Sequence, residues 1–219
     1  MSQRGRPPSG ADDNRDKLIE AAKRCFTRMP YHQVTTRLLA EEAGVNAALI
    51  RYYFINKEGL YKEMFNAVMG QVHGQLMEAL DSNPQVNFHT LFNLYYQVMK
   101  RTPAFPILMI KELALGEGQC RDFLLDKLRY DGFPAFERLL GSMKQQGRLK
   151  PHLDPRLIRM NCVALMIFPW LTASLAKDMD GFELNDDFLA FLAAHNGEIM
   201  ATGAFLPEQT NQETEEKQP

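Results

Sequence analysis

The sequence predicts an all-α protein, a small N-terminal three-helix unit followed by a larger helical body. Three observations carry this. Apolar residues recur at three- and four-residue spacings through most of the chain. No stretch alternates apolar with polar residues as a half-buried strand would. Between Val34 and Tyr61 the same helix-start pattern occurs three times, as Val34–Thr35–Leu39, Val45–Asn46–Ile50 and Ile55–Asn56–Leu60. In each, a hydrophobic residue precedes an oxygen-bearing cap and an apolar residue follows four positions into the helix. The cap side chain can accept from orphan N–H groups while the flanking pair packs as a staple.

Bulk properties exclude several classes. The 219 residues, 45% hydrophobic and 24% charged, suit a soluble globular chain of one or two domains. The longest apolar stretches, such as CVALMIFPWL at 162–171, are too short to span a bilayer, so no membrane partner is expected. MSQRGRPPSG lacks the apolar region of a signal peptide. Cys25, Cys120 and Cys162 are odd in number and far apart, with neither disulfide nor metal spacing. These features predict the cytoplasm. Charge is divided unevenly: residues 1–62 carry eleven Lys and Arg against seven acids, +4, which leaves −6 for the rest of a chain of net −2. A basic head on an acidic body suits a nucleic-acid partner, and hence association with the nucleoid.

Taken in order, residues 1–11 form a polar arm, expected to be disordered, whose Arg4-Gly5-Arg6-Pro7 could lie in a minor groove or simply solubilise the chain. Leu18, Ile19, Ala22, Cys25, Phe26 and Met29 keep helical spacing, with Asp12, Asp13 and Asp16 suiting the N-terminal dipole. Pro30 ends that helix. Thr35, Thr36 and Arg37 open the next, where backbone N–H groups and hydroxyls make a phosphate site. Gly44 stands where this helix must stop. Helix, tight glycine turn, helix is the helix-turn-helix arrangement. In its second helix Val45, Ile50 and Phe54 face the core, Ala48 and Tyr52 point away, and Leu49 and Arg51 flank. Ala47 and Ala48 can touch thymine methyls and Arg51 can reach a guanine edge or a phosphate. Asn46 and Leu49 complete the DNA-facing set.

The run TTRLLAEEAGVNAALIRYYFINKEGLY resembles the DNA-binding domain of TetR/AcrR-family transcriptional regulators. The shared features are a Thr-started helix, AGV, an aromatic-rich second helix and a following NKE-L. MPYHQ, near where the family commonly has a glycine, departs from that pattern. The resemblance implies that Arg37 touches DNA, at a phosphate or a base, and that Tyr52, Tyr53 and Lys57 contact phosphates. For Tyr53 a second reading, packing beside Phe54, stands open. Lys57 at the first position of its helix opposes the dipole, which a neighbouring phosphate would explain.

A third helix runs on from Lys57 to about Leu80, stopped by Asp81-Ser82-Asn83-Pro84, and joins head to body. Helices follow from Phe88 to Met99 and over 106–115, closed by Gly116 and Gly118. Another covers about 120–146, kinked or divided by Gly132-Phe133-Pro134. The next runs about 154–177, with Pro169 inside, and the last about 185–204. From Pro207 the acidic tail, 207–219, is expected to be disordered. The expected organisation is thus arm 1–11, DNA-binding head 12–62, ligand-binding and dimerisation body 63–206, and tail.

Met99, Phe105, Met109, Phe123, Met166 and Trp170 are the candidate lining of a plastic apolar cavity for a small apolar or amphipathic effector. The last two helices, 154–177 and 185–204, are apolar over more than one face, which predicts a homodimer through them. The small residues Ala173, Ala176, Ala190, Ala193, Ala194 and Gly197 would permit close approach there. In TetR-like proteins the dimer is similarly a four-helix bundle of the final helices. His32, His73, His89, His152 and His195 are scattered, and no sequence motif supports catalytic residues, a metal or a cofactor. The expectation is a non-enzymatic repressor, released from a palindromic double-stranded DNA operator by its effector. Two alternatives remain: a similar regulator that activates or answers to a protein partner, and a ligand-independent DNA-architectural protein.

Overall fold

In the computed structural model, α1 (Ala11–Arg28) buries Leu18, Ile19, Ala22, Cys25 and Phe26 against the elements that follow. The structure describes residues 11–83, 85–114 and 119–204. The Arg-Gly-Arg-Pro arm, Pro84, Gly116, Gly118 and the tail from Pro207 lie outside the described residues. Every element among the described residues is helical.

After a single 3₁₀ turn at Tyr31–Gln33 come α2 (Thr36–Ala43) and α3 (Ala48–Phe54), both packed on α1. Thr35 Oγ1 accepts from the Leu38 N–H at 3.1 Å, the cap its residue type predicts. Gly44 takes φ 67°, donating to the Glu41 carbonyl, while the Val45 N–H reaches the Ala40 carbonyl. That pair of bonds is a Schellman stop, and it needs a residue content in the left-handed region. α4 (Lys57–Ser82) starts in the head with Leu60, Tyr61, Met64 and Phe65 buried and continues into the body, where it packs on α5 (Phe88–Met99) and α8 (Phe133–Gln145).

The joint between α3 and α4 departs from expectation. Ile55 is 80% exposed, so it does not staple onto the fully buried Leu60. Its φ of 70° and ψ of −48°, with the Asn56 N–H bonded to the Phe54 carbonyl at 2.8 Å, make a γ-turn of the rare positive-φ kind. Asn56 does cap, accepting from the Gly59 N–H at 2.8 Å. A Cβ at Gly59 would stand 2.0 Å from the Phe54 carbonyl oxygen, so this glycine is required by the turn.

In the body, α6 (Phe105–Ala114) is followed by α7 (Arg121–Lys127), which passes through a π-helical turn, Leu128–Gly132, into α8. The expected kink or division at Gly132-Phe133-Pro134 is therefore a π turn, Leu128–Gly132, that leads directly into α8. α9 (Pro155–Leu171) opens on Asp154, whose carboxylate accepts from the Arg156 N–H. The helix expected to reach Lys177 stops at Leu171, and α10 (Ala173–Asp180) leaves it at 65°. Pro169 lies inside α9, before the break, and its effect falls on the preceding turn. It has no N–H for the Leu165 carbonyl four residues back, and that oxygen instead accepts from the Tyr96 hydroxyl at 2.9 Å. Asn196 of α11 (Asp186–Ala204) donates to the same hydroxyl at 2.8 Å, so α5, α9 and α11 meet on one hydrogen-bond chain. α11 lies along α5 so closely that a Cβ on Gly197 would stand 2.8 Å from His89 Cα. Gly197 and Ala193, offered as dimer-facing small residues, are buried instead, with Gly197 against α5. No single described helix is long and apolar enough to cross a membrane.

Candidate nucleic-acid interface and effector cavity

The cap and stop on α2 fix the angle at which α3 leaves it, and α3 is then oriented by two buried anchors, Ile50 and Phe54. Asn46 Oδ1 accepts from the Ala48 N–H at 2.8 Å and the Asn46 carbonyl from the Leu49 N–H, so α3 opens on a tight turn. Seven residues are too few for a stable free helix; packing holds it. Its remaining face is open. Asn46, Ala47, Ala48, Arg51 and Tyr52 are exposed, as are Thr35, Thr36 and Arg37 at the start of α2. Leu49 and Tyr53 are half-buried. The two tyrosine rings meet edge to face at 4.8 Å, which stiffens Tyr52 although it is 76% exposed.

Charge on this surface is partly paired. Arg37 Nε donates to Glu41 at 2.7 Å within α2, an exposed pair that an incoming phosphate or base can replace at little cost. Glu42 is held by Arg24 of α1 at 2.5 Å, and Arg15 of α1 by Glu63 of α4, with the Arg15 guanidinium 5.5 Å over the Phe54 ring, bonds that tie the head together. Lys57 requires a correction. Its Nζ turns inward, donating to the carbonyls of Tyr31 and Val34 at 2.9 Å each, and lies 4.0 Å from the Tyr31 ring centre. Burial pushes its pKa down. The charge that opposes the α4 dipole is thus used to fasten the turn before α2, and only one ammonium proton is left for a phosphate.

The body encloses an apolar cavity of about 200 Å³. Four of the six expected lining residues, Met99, Phe105, Met109 and Met166, are in its wall. Phe123 and Trp170 are not. Phe123, on α7, lies under the ammonium of Lys62, 5.8 Å from its ring. Trp170 is buried beside Tyr96, 6.5 Å between ring centres. Sequence reasoning missed the α4 contribution, Met69, Val72, His73 and Leu76, because those residues read as the core face of a connecting helix. It also missed two polar features. Arg159 lines the cavity with its guanidinium 4.0 Å over the Phe133 ring, and His73 Nδ1 is buried with no hydrogen-bond partner among the described residues. An apolar wall with one cation and one open nitrogen fits an amphipathic molecule. The thiols stay protonated: burial first, then Glu112, pushes Cys120 up to about 12, and burial alone does the same for Cys162.

Comparison with known proteins places this geometry. Residues 18–64 match the family described as bacterial regulatory proteins, tetR family. The chain is 24% identical over 164 residues to the HTH-type transcriptional regulator YhgD of Bacillus subtilis, covering 72% of this chain and 84% of that one. Its fold is similar to that of the fatty acid degradation regulator FadR from Bacillus halodurans. There the TM-score is 0.68 at 20% identity, over 92% of this chain and 98% of the other. It is also similar to FadR from Bacillus subtilis in complex with stearoyl-CoA, with TM-score 0.65 at 22% identity, over 86% and 98%.

Proposed function

Since the chain belongs to the tetR family of bacterial regulatory proteins and is a transcriptional regulator, we propose that it is a homodimeric repressor released from a palindromic operator by an amphipathic acyl compound. Residues 12–62 form the DNA-reading head in this reading, and 63–206 the effector and dimer body. Thr35, Thr36, Arg37, Ala47, Ala48, Arg51 and Tyr52 meet the DNA, with Asn46, Leu49 and Tyr53 supporting them.

The observation that carries the reading is the cavity wall contributed by α4. The same helix begins three residues after α3 ends, so a molecule that displaces Val72, His73 or Leu76 acts on the helix that holds the recognition element. Arg159 supplies a counter-charge for an anionic head group. The similar FadR of Bacillus subtilis is a stearoyl-CoA complex, which supports an acyl effector. Self-association rests on exposed Leu157, Met160, Phe168 and Leu171 of α9 with Phe191 and Ile199 of α11. So large an apolar band is what a partner surface leaves on a lone chain. A two-fold dimer would set the two α3 helices about 34 Å or more apart, matching successive major grooves.

Reciprocity gives the test. Stearoyl-CoA affinity is measured by calorimetry on the dimer, with and without operator DNA recovered by selection from genomic fragments. Operator must weaken stearoyl-CoA binding by the same factor by which stearoyl-CoA weakens operator binding. Tight but equal binding in both cases refutes the switch, and sedimentation of a monomer that still binds one half-site tightly refutes the dimer.

A further inference from the structure

A second cavity, of about 620 Å³, lies on the seam between head and body, walled by the end of α1, the 3₁₀ turn and α6. Its lining includes Phe26, Tyr31, Tyr61 and Glu112. Three of these are aromatic and in mutual contact, with ring centres 4.4 Å apart for Phe26 and Tyr61, 5.0 Å for Tyr31 and Tyr61, and 5.6 Å for Phe26 and Tyr31. Glu112 is 5% exposed. It accepts from the Tyr61 hydroxyl at 2.6 Å and the Cys120 N–H at 2.9 Å. Burial and this bond hold the Tyr61 pKa far up, so the phenol is the donor and the carboxyl the acceptor.

Among the described residues no lysine or arginine forms an ion pair with Glu112. Among the described residues its two donors are neutral, so this buried carboxylate is an uncompensated charge, and against those two bonds each oxygen keeps a lone pair free. Aromatic faces beside it are the complement of an organic cation. The Tyr31 ring already receives one such charge, the Lys57 ammonium, which is not among the residues lining the cavity. Arg28 and Lys111 also line the cavity, but both are exposed, where water and salt screen them.

We propose that this seam cavity is a second ligand site, for a small organic cation with an aromatic or apolar body, separate from the cavity between α4 and α9. Glu112 pairs with the cation and the Phe26–Tyr31–Tyr61 cluster encloses it. An occupant would touch the head through Tyr31 and the body through Glu112. The proposal does not depend on the acyl-effector reading.

The test uses the intact protein and two probes with the same ring and opposite charge, benzyltrimethylammonium and benzenesulfonate, in calorimetry. Saturable binding of the ammonium and at least tenfold weaker binding of the sulfonate are expected. Glu112→Gln and Tyr31→Leu, checked for native helicity by circular dichroism, should each weaken the ammonium at least tenfold. If Glu112→Gln does not fold, Tyr31→Leu and the contrast between probes decide. No saturable ammonium binding, equal affinity for the sulfonate, or unchanged affinity in Tyr31→Leu overturns the proposal.

Discussion

Tyr96→Phe tests the hydrogen-bond chain that joins three body helices. Tyr96 is fully buried, and burial raises its pKa to about 12, so its hydroxyl is a donor throughout the accessible pH range. It donates to the Leu165 carbonyl and accepts from Asn196, itself 4% exposed. Phenylalanine keeps the ring and its packing, so the loss is confined to these two bonds. Each is worth about 1 kcal/mol net, and a buried polar group left without a partner costs about 1–3 kcal/mol. The Leu165 carbonyl cannot recover through the helix, because residue 169 is a proline. The variant should therefore lose about 2–4 kcal/mol in urea unfolding at fixed protein concentration. Pro169→Ala sharpens the test, since it restores an N–H to the Leu165 carbonyl. In that background Tyr96→Phe should cost about 1–2 kcal/mol less, a coupling read directly from the double-mutant cycle. A loss below about 0.5 kcal/mol, or the same loss in both backgrounds, refutes the reasoning.

Ile55→Gly should raise stability by about 1 kcal/mol in the same unfolding assay, since it relieves a positive-φ strain of about 1–3 kcal/mol and the backbone entropy of glycine returns part of it. Gly197→Ala should destabilise by about 1–3 kcal/mol, because α11 must move off His89; a neutral result would show that the two helices can separate freely. Arg37→Ala should weaken operator binding roughly tenfold or more while leaving urea unfolding nearly unchanged, as its bond to Glu41 is an exposed pair. Lys57→Met should behave oppositely, lowering stability with little change in the salt slope of DNA binding; a slope shallower by about 0.9 for each Lys57 in the complex would restore it to the phosphate set.

What could be read in advance follows from how far each signal reaches along the chain. Thr35, Gly44, Asn56 and Asp154 act within one turn of themselves, and each takes the role its residue type implies. The faces of α3 were also legible, because a period of 3.6 residues separates Ile50 and Phe54 from Ala48 and Tyr52 without knowing what they pack against. Periodicity says only that a face is covered. It could not tell that Val72 and Leu76 face a cavity while Trp170 faces Tyr96, or that Gly197 meets His89 in its own chain. Lys57 fails for the same reason: the dipole argument is local, and the carbonyls that satisfy its ammonium lie 23 and 26 residues away. Pro169 marked a disturbance in α9, but the hydroxyl that donates to the freed Leu165 carbonyl lies 69 positions earlier in sequence, beyond any local pattern.

The joint between α3 and α4 decides what a movement in the body can do. A flexible linker there would absorb any tilt of α4 and leave α3 in place. Instead the joint is two residues long and tied at both ends. Phe54 is anchored in the core, its carbonyl takes the Asn56 N–H, Asn56 caps α4 through Gly59, and Gly59 has no Cβ because the Phe54 oxygen occupies that space. Lys57 then fastens the first turn of α4 to the turn ahead of α2, so α2, α3 and the start of α4 move as one piece. Rotation of α4 about the cavity must therefore carry both recognition elements of the head. The strained Ile55 is the one place where the joint could give. Ile55→Gly thus separates two consequences of one residue: it should stabilise the fold, yet loosen the transmission, so that under the proposed acyl-effector function stearoyl-CoA should bind the variant as tightly as the parent while releasing operator less completely. Unchanged release in that variant would locate the coupling outside this joint.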